Sequence, residues 1–297
     1  MREPWTVAAR VFSLMIVLLV APAPALPALD WPVRKVVLTA TFGEDRTDHF
    51  HNGIDLGGGE QDVLAVLPGE LVFRYDENAD YTSMPRGVGS FVALHHGDDI
   101  LSIYCHLKRG SLGPARAVSR ASERVGVMGD TGYSEGTHLH FIVLDEESAS
   151  FVNPLALLPP LADGQRPVIR RVALATGDRV RELEQGVVVP PGRTTVLAEI
   201  ADPRGDVKFF WPMAPHSVRL ALDGKEIAGL SFDALHVVDG RMVLRGTRLS
   251  AADLYTADGL LRCGSVDLLS GTSHLLLAAQ DFAGNEVTRD IVFTVRD

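Results

Sequence analysis

From Trp31 to about Pro154 the chain is a succession of short apolar runs, many of them β-branched, set apart by glycine and proline: "KVVLTATFG", "DVLAVLPGELVFRYD", "GSFVALHHGDDILSIYCHL", "RVGVMGDTG" and "HLHFIVLD". No stretch of this half repeats apolar residues at helical spacing, so the pattern predicts a mostly β domain. The tetrapeptide "HGDD" between "SFVAL" and "ILSIY" has the composition of a hairpin turn. In "NPLALLPPLADGQRP", Pro159 and Pro160 stop regular structure and stiffen the chain, which places a linker at 161–167. Beyond it, "TTVLAEIADP", "HSVRLALDGKEI", "MVLRGTRLS", "SHLLLAAQDFAGNEV" and "RDIVFTV" are again strands joined by turns. Their spacing predicts an immunoglobulin-like β-sandwich over 168–297. The expected fold class is all-β, with a strand-rich domain at 26–160 followed by this second one.

The N-terminal pattern is different. Arg2 and Arg10 precede the apolar run "VFSLMIVLLV", and small residues, Ala23 and Ala25, stand before a potential cleavage point. Ten strongly apolar residues fall short of the roughly 20 that span a bilayer, so residues 1–25 read as an export signal, an uncleaved anchor being the alternative. The expected location is the periplasm or cell envelope, without stable membrane insertion unless the signal is retained. A formal net charge of −10 argues against binding nucleic acid or anionic lipid through overall charge. Two cysteines, Cys105 and Cys263, are too few for a disulfide framework. Buried free thiols are the expectation, a bridge between them the alternative. The oligomeric state is not legible.

Candidate chemistry gathers in three places in the first half: "HNGID" at 51–55, "YCHL" at 104–107 and "GTHLHF" at 136–141. Residues two apart on a strand share a face, so His138 and His140 project together while Leu139 and Phe141 anchor the other side. A lone histidine is ordinarily a solvated or hydrogen-bonded residue, but five ionisable groups in three apolar-flanked clusters are harder to dismiss. Hydrolytic zinc takes three protein ligands and leaves one position for water. His51, Asp55 and one histidine of the His138/His140 pair would supply that set, with a glycine turn drawing 51 and 55 together. The absence of thiolate ligands disfavours a closed structural site. The remaining histidines would act as proton acceptor and as donor to the oxyanion or leaving amine.

At these residues the chain resembles the lysostaphin/LytM-type zinc metallopeptidases, which cut peptide cross-links of bacterial peptidoglycan. The resemblance covers about residues 33–158 and rests on "TFGEDRTDHFHNGIDL", "GSFVALHHGDDILSIYCHL" and "VGVMGDTGYSEGTHLHF". It implies His51, Asp55 and His140 as Zn2+ ligands, His106 and His138 as the non-ligand catalytic pair, and water as nucleophile. Spacing alone leaves open which of His138 and His140 binds metal. Cys105 and the segment "KRGSLGPARAVSRASERVGVMG" depart from the family pattern, the first as neutral packing and the second as loop variation.

Other residues carry weaker expectations. His49 is an alternative ligand two residues from His51, or a rim group. His95 and His96 read as solvated turn residues, the charges of "GEDRTD" as a solvated loop at the site's edge, and Tyr133 and Ser134 as groove or turn residues. His216, His236 and His274 lack partners at ligand spacing. The function expected is an exported zinc endopeptidase acting on peptidoglycan peptides. The alternatives are a non-catalytic wall-binding or amidase-regulating protein of the same fold, whose members usually lose ligands, and an exported zinc peptidase acting on proteins.

Overall fold

The structure, a computed structural model, describes residues 29–77, 87–97, 99–113, 116, 120–205 and 213–297. The expected signal segment lies outside them. The first half consists of β1 (Leu38–Ala40), β2 (Ile54–Leu56), β3 (Asp62–Leu64), β4 (Glu70–Tyr75), β5 (Ser90–His95), β6 (Ile100–Leu107), β7 (Arg124–Val127), β8 (Leu139–Asp145) and β9 (Ser150–Val152), then a 3-10 turn at Pro154–Ala156. Strands β4, β5 and β6 form an antiparallel meander that continues into β8, with the expected hairpin between β5 and β6. The free side of β8 is shared between two partners. Its first residues pair with β2 and its last with β9. Such a central strand is covered on both faces, which is why "LHFIV" is an unbroken apolar run apart from His140. Phe141 packs against Tyr104 with ring centroids 5.4 Å apart, and both are fully buried.

The second half supplies β10 (Val168–Thr176), β11 (Arg179–Glu182), β12 (Val188–Val189), β13 (Gly192–Ala201), β14 (Ser217–Leu222), β15 (Lys225–Ser231), β16 (Ala234–Val238), β17 (Arg241–Leu244), the single turn α1 (Ala251–Leu254), β18 (Leu261–Leu268), β19 (Gly271–Gln280) and β20 (Glu286–Val295). Two sheets, ordered β11-β10-β13-β18 and β12-β20-β19-β14-β15, enclose one core. Alternation fixes which side chains enter it. Leu275 and Leu277 of β19 are buried while Leu276 between them faces out. The protein is thus nearly all-β, a strand-rich first domain followed by a second β domain.

Two features cross the linker. Hairpin β16–β17 leaves the sandwich and pairs with β9, Ala234 opposite Val152 and Leu235 opposite Phe151, so the first domain's main sheet ends in strands from the second half. In the other direction, the loop over 41–50 sends Phe42 and Phe50 into the second half's core. The Phe50 ring meets Phe232 and Tyr255 edge-on at 6.4 and 6.3 Å. Tyr255 donates its hydroxyl to the Gly43 carbonyl at 3.0 Å, and Thr41 donates its own to the Ala214 carbonyl at 3.0 Å. Gly43 has φ +85°, and a Cβ there would stand 2.3 Å from the Phe232 ring, so only glycine lets the two segments close.

Candidate active site

Asp55 on β2 and His140 on β8 are directly opposed across a strand pair, which puts their side chains on one face at contact distance. His51 arrives from the preceding turn. There Gly53 is needed for close approach rather than for a special dihedral: a Cβ would lie 2.4 Å from the Phe141 carbonyl and 2.9 Å from the His140 ring. The result is a triangle of His51 Nε2, Asp55 Oδ1 and His140 Nδ1 with sides of 3.0, 2.9 and 2.9 Å.

Hydrogen bonds set both imidazoles so that these atoms carry lone pairs. His51 donates from Nδ1 to the Thr41 carbonyl at 2.7 Å, leaving Nε2 as acceptor. His140 donates from Nε2 to the Asn52 side-chain oxygen at 3.2 Å, leaving Nδ1. Outer partners of this kind fix tautomer and orientation in metal sites. Three lone-pair atoms this close repel one another unless a cation lies among them, and His51, Asp55 and His140 could hold a metal ion. Atoms bound to one tetrahedral zinc at about 2.0–2.1 Å stand roughly 3.3 Å apart, so side-chain shifts of a few tenths of an ångström fit it.

The electrostatics agree with a cation site. Burial opposes ionisation of Asp55, but His51 and His140 outweigh it and hold the carboxyl well below its usual range. Burial pushes His140 down to about 4, so its ring is neutral. Burial also opposes charge on His51, yet the Asp55 carboxylate beside it raises its pKa.

His106 and His138 stand next to this triangle, ring centroids 4.8 Å apart and His106 6.0 Å from His140. His106 reaches this position through its backbone: φ is +58°, in a β-bulge where the pairing of β5 and β6 slips between Ser90 and Val92. The bulge re-aims a side chain that regular alternation would turn away. Its Nδ1 donates to the Thr131 carbonyl at 2.8 Å, leaving Nε2 to accept a proton. Burial, then the neighbouring His138, lower its pKa. His138 donates from Nδ1 to the Gly136 carbonyl at 2.8 Å, Ser134 Oγ lies 3.3 Å from the same nitrogen, and its Nε2 stands 3.8 Å from Asp55.

All five residues expected from the sequence are therefore brought together, and several expectations need correcting. Within "GEDRTD", Glu44 is 3% exposed and Arg46 bridges it to the site, with Nη1 2.9 Å from Glu44 and Nη2 3.3 Å from the second oxygen of Asp55. That charge pair is part of the site's wall because the loop carrying it is pinned by Phe42 and Phe50. His96 is 2% exposed and hydrogen-bonds the Pro68 carbonyl and Ser102, so it is a core residue; His95 pairs with Glu146 at 3.2 Å. His49 is exposed and pairs with Asp48. Cys105 and Cys263 are both buried and free, which rules out the bridge. His216, His236 and His274 pair with Asp233, Ser150 and Asp290. Tyr133 is 79% exposed. The sequence offered Glu44 and Arg46 only as solvated charges and did not single out Asn52, which only its proximity to His51 could have suggested.

Residues 49–154 match the model of "Peptidase family M23", and residues 166–296 match a separate family model. Among curated proteins, the murein hydrolase activator NlpD of Escherichia coli (strain K12) is 34% identical over 130 residues, 43% of this chain and 31% of that protein. An uncharacterized metalloprotease of Haemophilus influenzae is 37% identical over 137 residues, 46% of this chain and 26% of that protein. The outer membrane antigenic lipoprotein B of the same species is 30% identical over 141 residues, 47% of this chain and 31% of that protein. The chain spans about a third or less of the length of these relatives.

Proposed function

We propose, on the premise that residues 49–154 form a LytM-type domain of peptidase family M23, that this chain is an exported zinc metalloendopeptidase hydrolysing peptide cross-links of bacterial peptidoglycan. The observation that carries the reading is the triangle of His51, Asp55 and His140 with His106 and His138 beside it. These three would hold Zn2+; when bound, it supplies Lewis-acid polarisation of a scissile carbonyl and acidifies a water nucleophile. His106 and His138 do the proton work. His106, neutral and with Nε2 free of the Thr131 contact, accepts a proton from the attacking water, and an imidazole N–H of the pair stabilises the oxyanion or returns a proton to the departing amine. Arg46 holds the outer oxygen of Asp55, leaving Oδ1 directed at the histidines.

The test measures zinc per chain and the cleavage of cross-links in purified sacculi, for the native protein and for His140→Ala. The native protein is expected to hold one zinc and to cleave. The variant is expected to lose the metal and at least about 10³-fold in rate, the scale of losing a metal that activates water. Full activity in a zinc-free variant would falsify the assignment.

The similarity to a murein hydrolase activator favours a second reading, regulation of another hydrolase. Retention of all five residues supports the enzyme reading over it. Sacculi left uncut by the zinc-loaded chain, together with faster cutting by an added amidase, would establish the regulator instead. Offering an unfolded protein alongside sacculi separates a wall peptidase from a general one.

A further inference from the structure

At the junction of the linker with the sandwich, Asp163, Asp202 and Asp281 place carboxylate oxygens within 4.8 Å of one another. Asp163 lies in the linker, Asp202 directly after β13, and Asp281 in the turn between β19 and β20. None of them takes part in the chemistry above.

Most of the cluster's hydrogen bonds are accounted for. Asp163 accepts from Arg204 Nη1 at 2.7 Å and from the Gln165 amide at 2.9 Å. Asp281 accepts from the Asn285 amide at 2.8 Å and its side-chain nitrogen at 2.7 Å, while that nitrogen also donates to the Asp163 carbonyl at 3.1 Å. Asp202 differs. It is 5% exposed, and its Oδ1 is enclosed without a hydrogen-bond partner, the single such side-chain atom among the described residues. An enclosed polar atom left unpaired is costly, and one beside two like charges more so. A cation among the three carboxylates relieves all of them at once.

We propose that Asp163, Asp202 and Asp281 form a second metal site, distinct from the peptidase centre, that binds Ca2+. Among the described residues, three acidic side chains gather beside one Arg204, an excess of acid suited to a divalent ion. The donors are all oxygen, which disfavours zinc. Two oxygens at about 2.3–2.6 Å from one calcium stand at most about 5 Å apart, the span these atoms occupy. Asp163, Asp202 and Arg204 also line a cavity of about 510 Å3, which gives the ion an entry path and room for the waters that complete its coordination. Magnesium demands a near-ideal octahedron at about 2.0–2.1 Å and gives up its waters reluctantly, whereas calcium accepts a flexible shell of carboxylates and waters. The bound ion clamps the linker to the sandwich.

The test uses the full chain loaded with one equivalent of zinc and freed of calcium, titrated with Ca2+ by calorimetry and followed by thermal melting. One Ca2+ per chain is expected, with a raised melting temperature, and His140→Ala is expected to retain the binding. Asp202→Asn and Asp163→Asn are each expected to weaken it at least tenfold. Asp163 carries the test if the more buried Asp202 variant fails to fold. No uptake at millimolar Ca2+, uptake untouched by Asp163→Asn, loss in His140→Ala, or equal affinity for Mg2+ would overturn the proposal.

Discussion

Arg46 reaches the outer oxygen of Asp55 from a loop whose charges, read along the sequence, look like solvent-facing decoration. Replacing it with methionine keeps the stem and removes the contact, and outer partners of metal ligands commonly contribute 10–100-fold in affinity. Competition with a zinc-binding dye is expected to show a loss of that size for Arg46→Met, with the fold retained. His106 sets a pH dependence. Its pKa lies below the ordinary 6.5, lowered by burial and then by His138, and only the neutral ring accepts a proton. Activity is therefore expected to fall on acidification with a midpoint below 6.5, read from a profile of kcat/KM. That His51, Asp55, His106, His138 and His140 gather in one place was legible because imidazoles and a carboxylate stand out in apolar-flanked runs and strand alternation restricts spacing; their separate roles came only from the family resemblance. Glu44, Arg46 and Asn52 were not legible, since an acid, a base and an amide in a polar loop have no signature until Phe42 and Phe50 bury that loop.

At the scale of elements, the strands follow from alternation, glycine turns and β-branched runs, and the β5–β6 hairpin from four turn residues. The bulge at His106 does not, because a left-handed residue inside "SIYCHL" leaves no mark in the composition. Nor does the hold of the second half on the 41–50 loop, which depends on an aromatic pair far apart in sequence. Phe232→Ala empties a fully buried site under Phe50 and Gly43. Such truncations cost about 3–5 kcal/mol, so urea unfolding is expected to shift by that amount and zinc retention to drop as the Thr41 carbonyl behind His51 loosens. The turn before β2 gives a sharper case: Gly53→Ala drives a methyl into the Phe141 carbonyl, and the expected outcome is loss of bound zinc by elemental analysis, with the second half's strands preserved by circular dichroism.

For the whole molecule, the sequence separates a β half that carries the histidine cluster from a second β half, and no helix among the described residues is long and apolar enough to cross a membrane. It does not disclose that β16 and β17 complete the first half's sheet, because strand pairing across a linker depends on edges that only the assembled molecule presents. Removing residues 168–297 therefore strips β9 of its neighbour and the 41–50 loop of its support. The truncated chain is expected to lose activity on soluble peptides and on sacculi alike, and to aggregate in light scattering, rather than to lose wall targeting alone.

The borrowed hairpin also orders events in time. Synthesis runs from the amino end, so β9 must wait beside an open backbone edge until residues 234–238 have been made, and an open edge invites pairing with the wrong strand. A nascent chain halted before Phe232 thus leaves both that edge and the 41–50 loop without their partners: the first half's fold is completed only by residues from 232 onward.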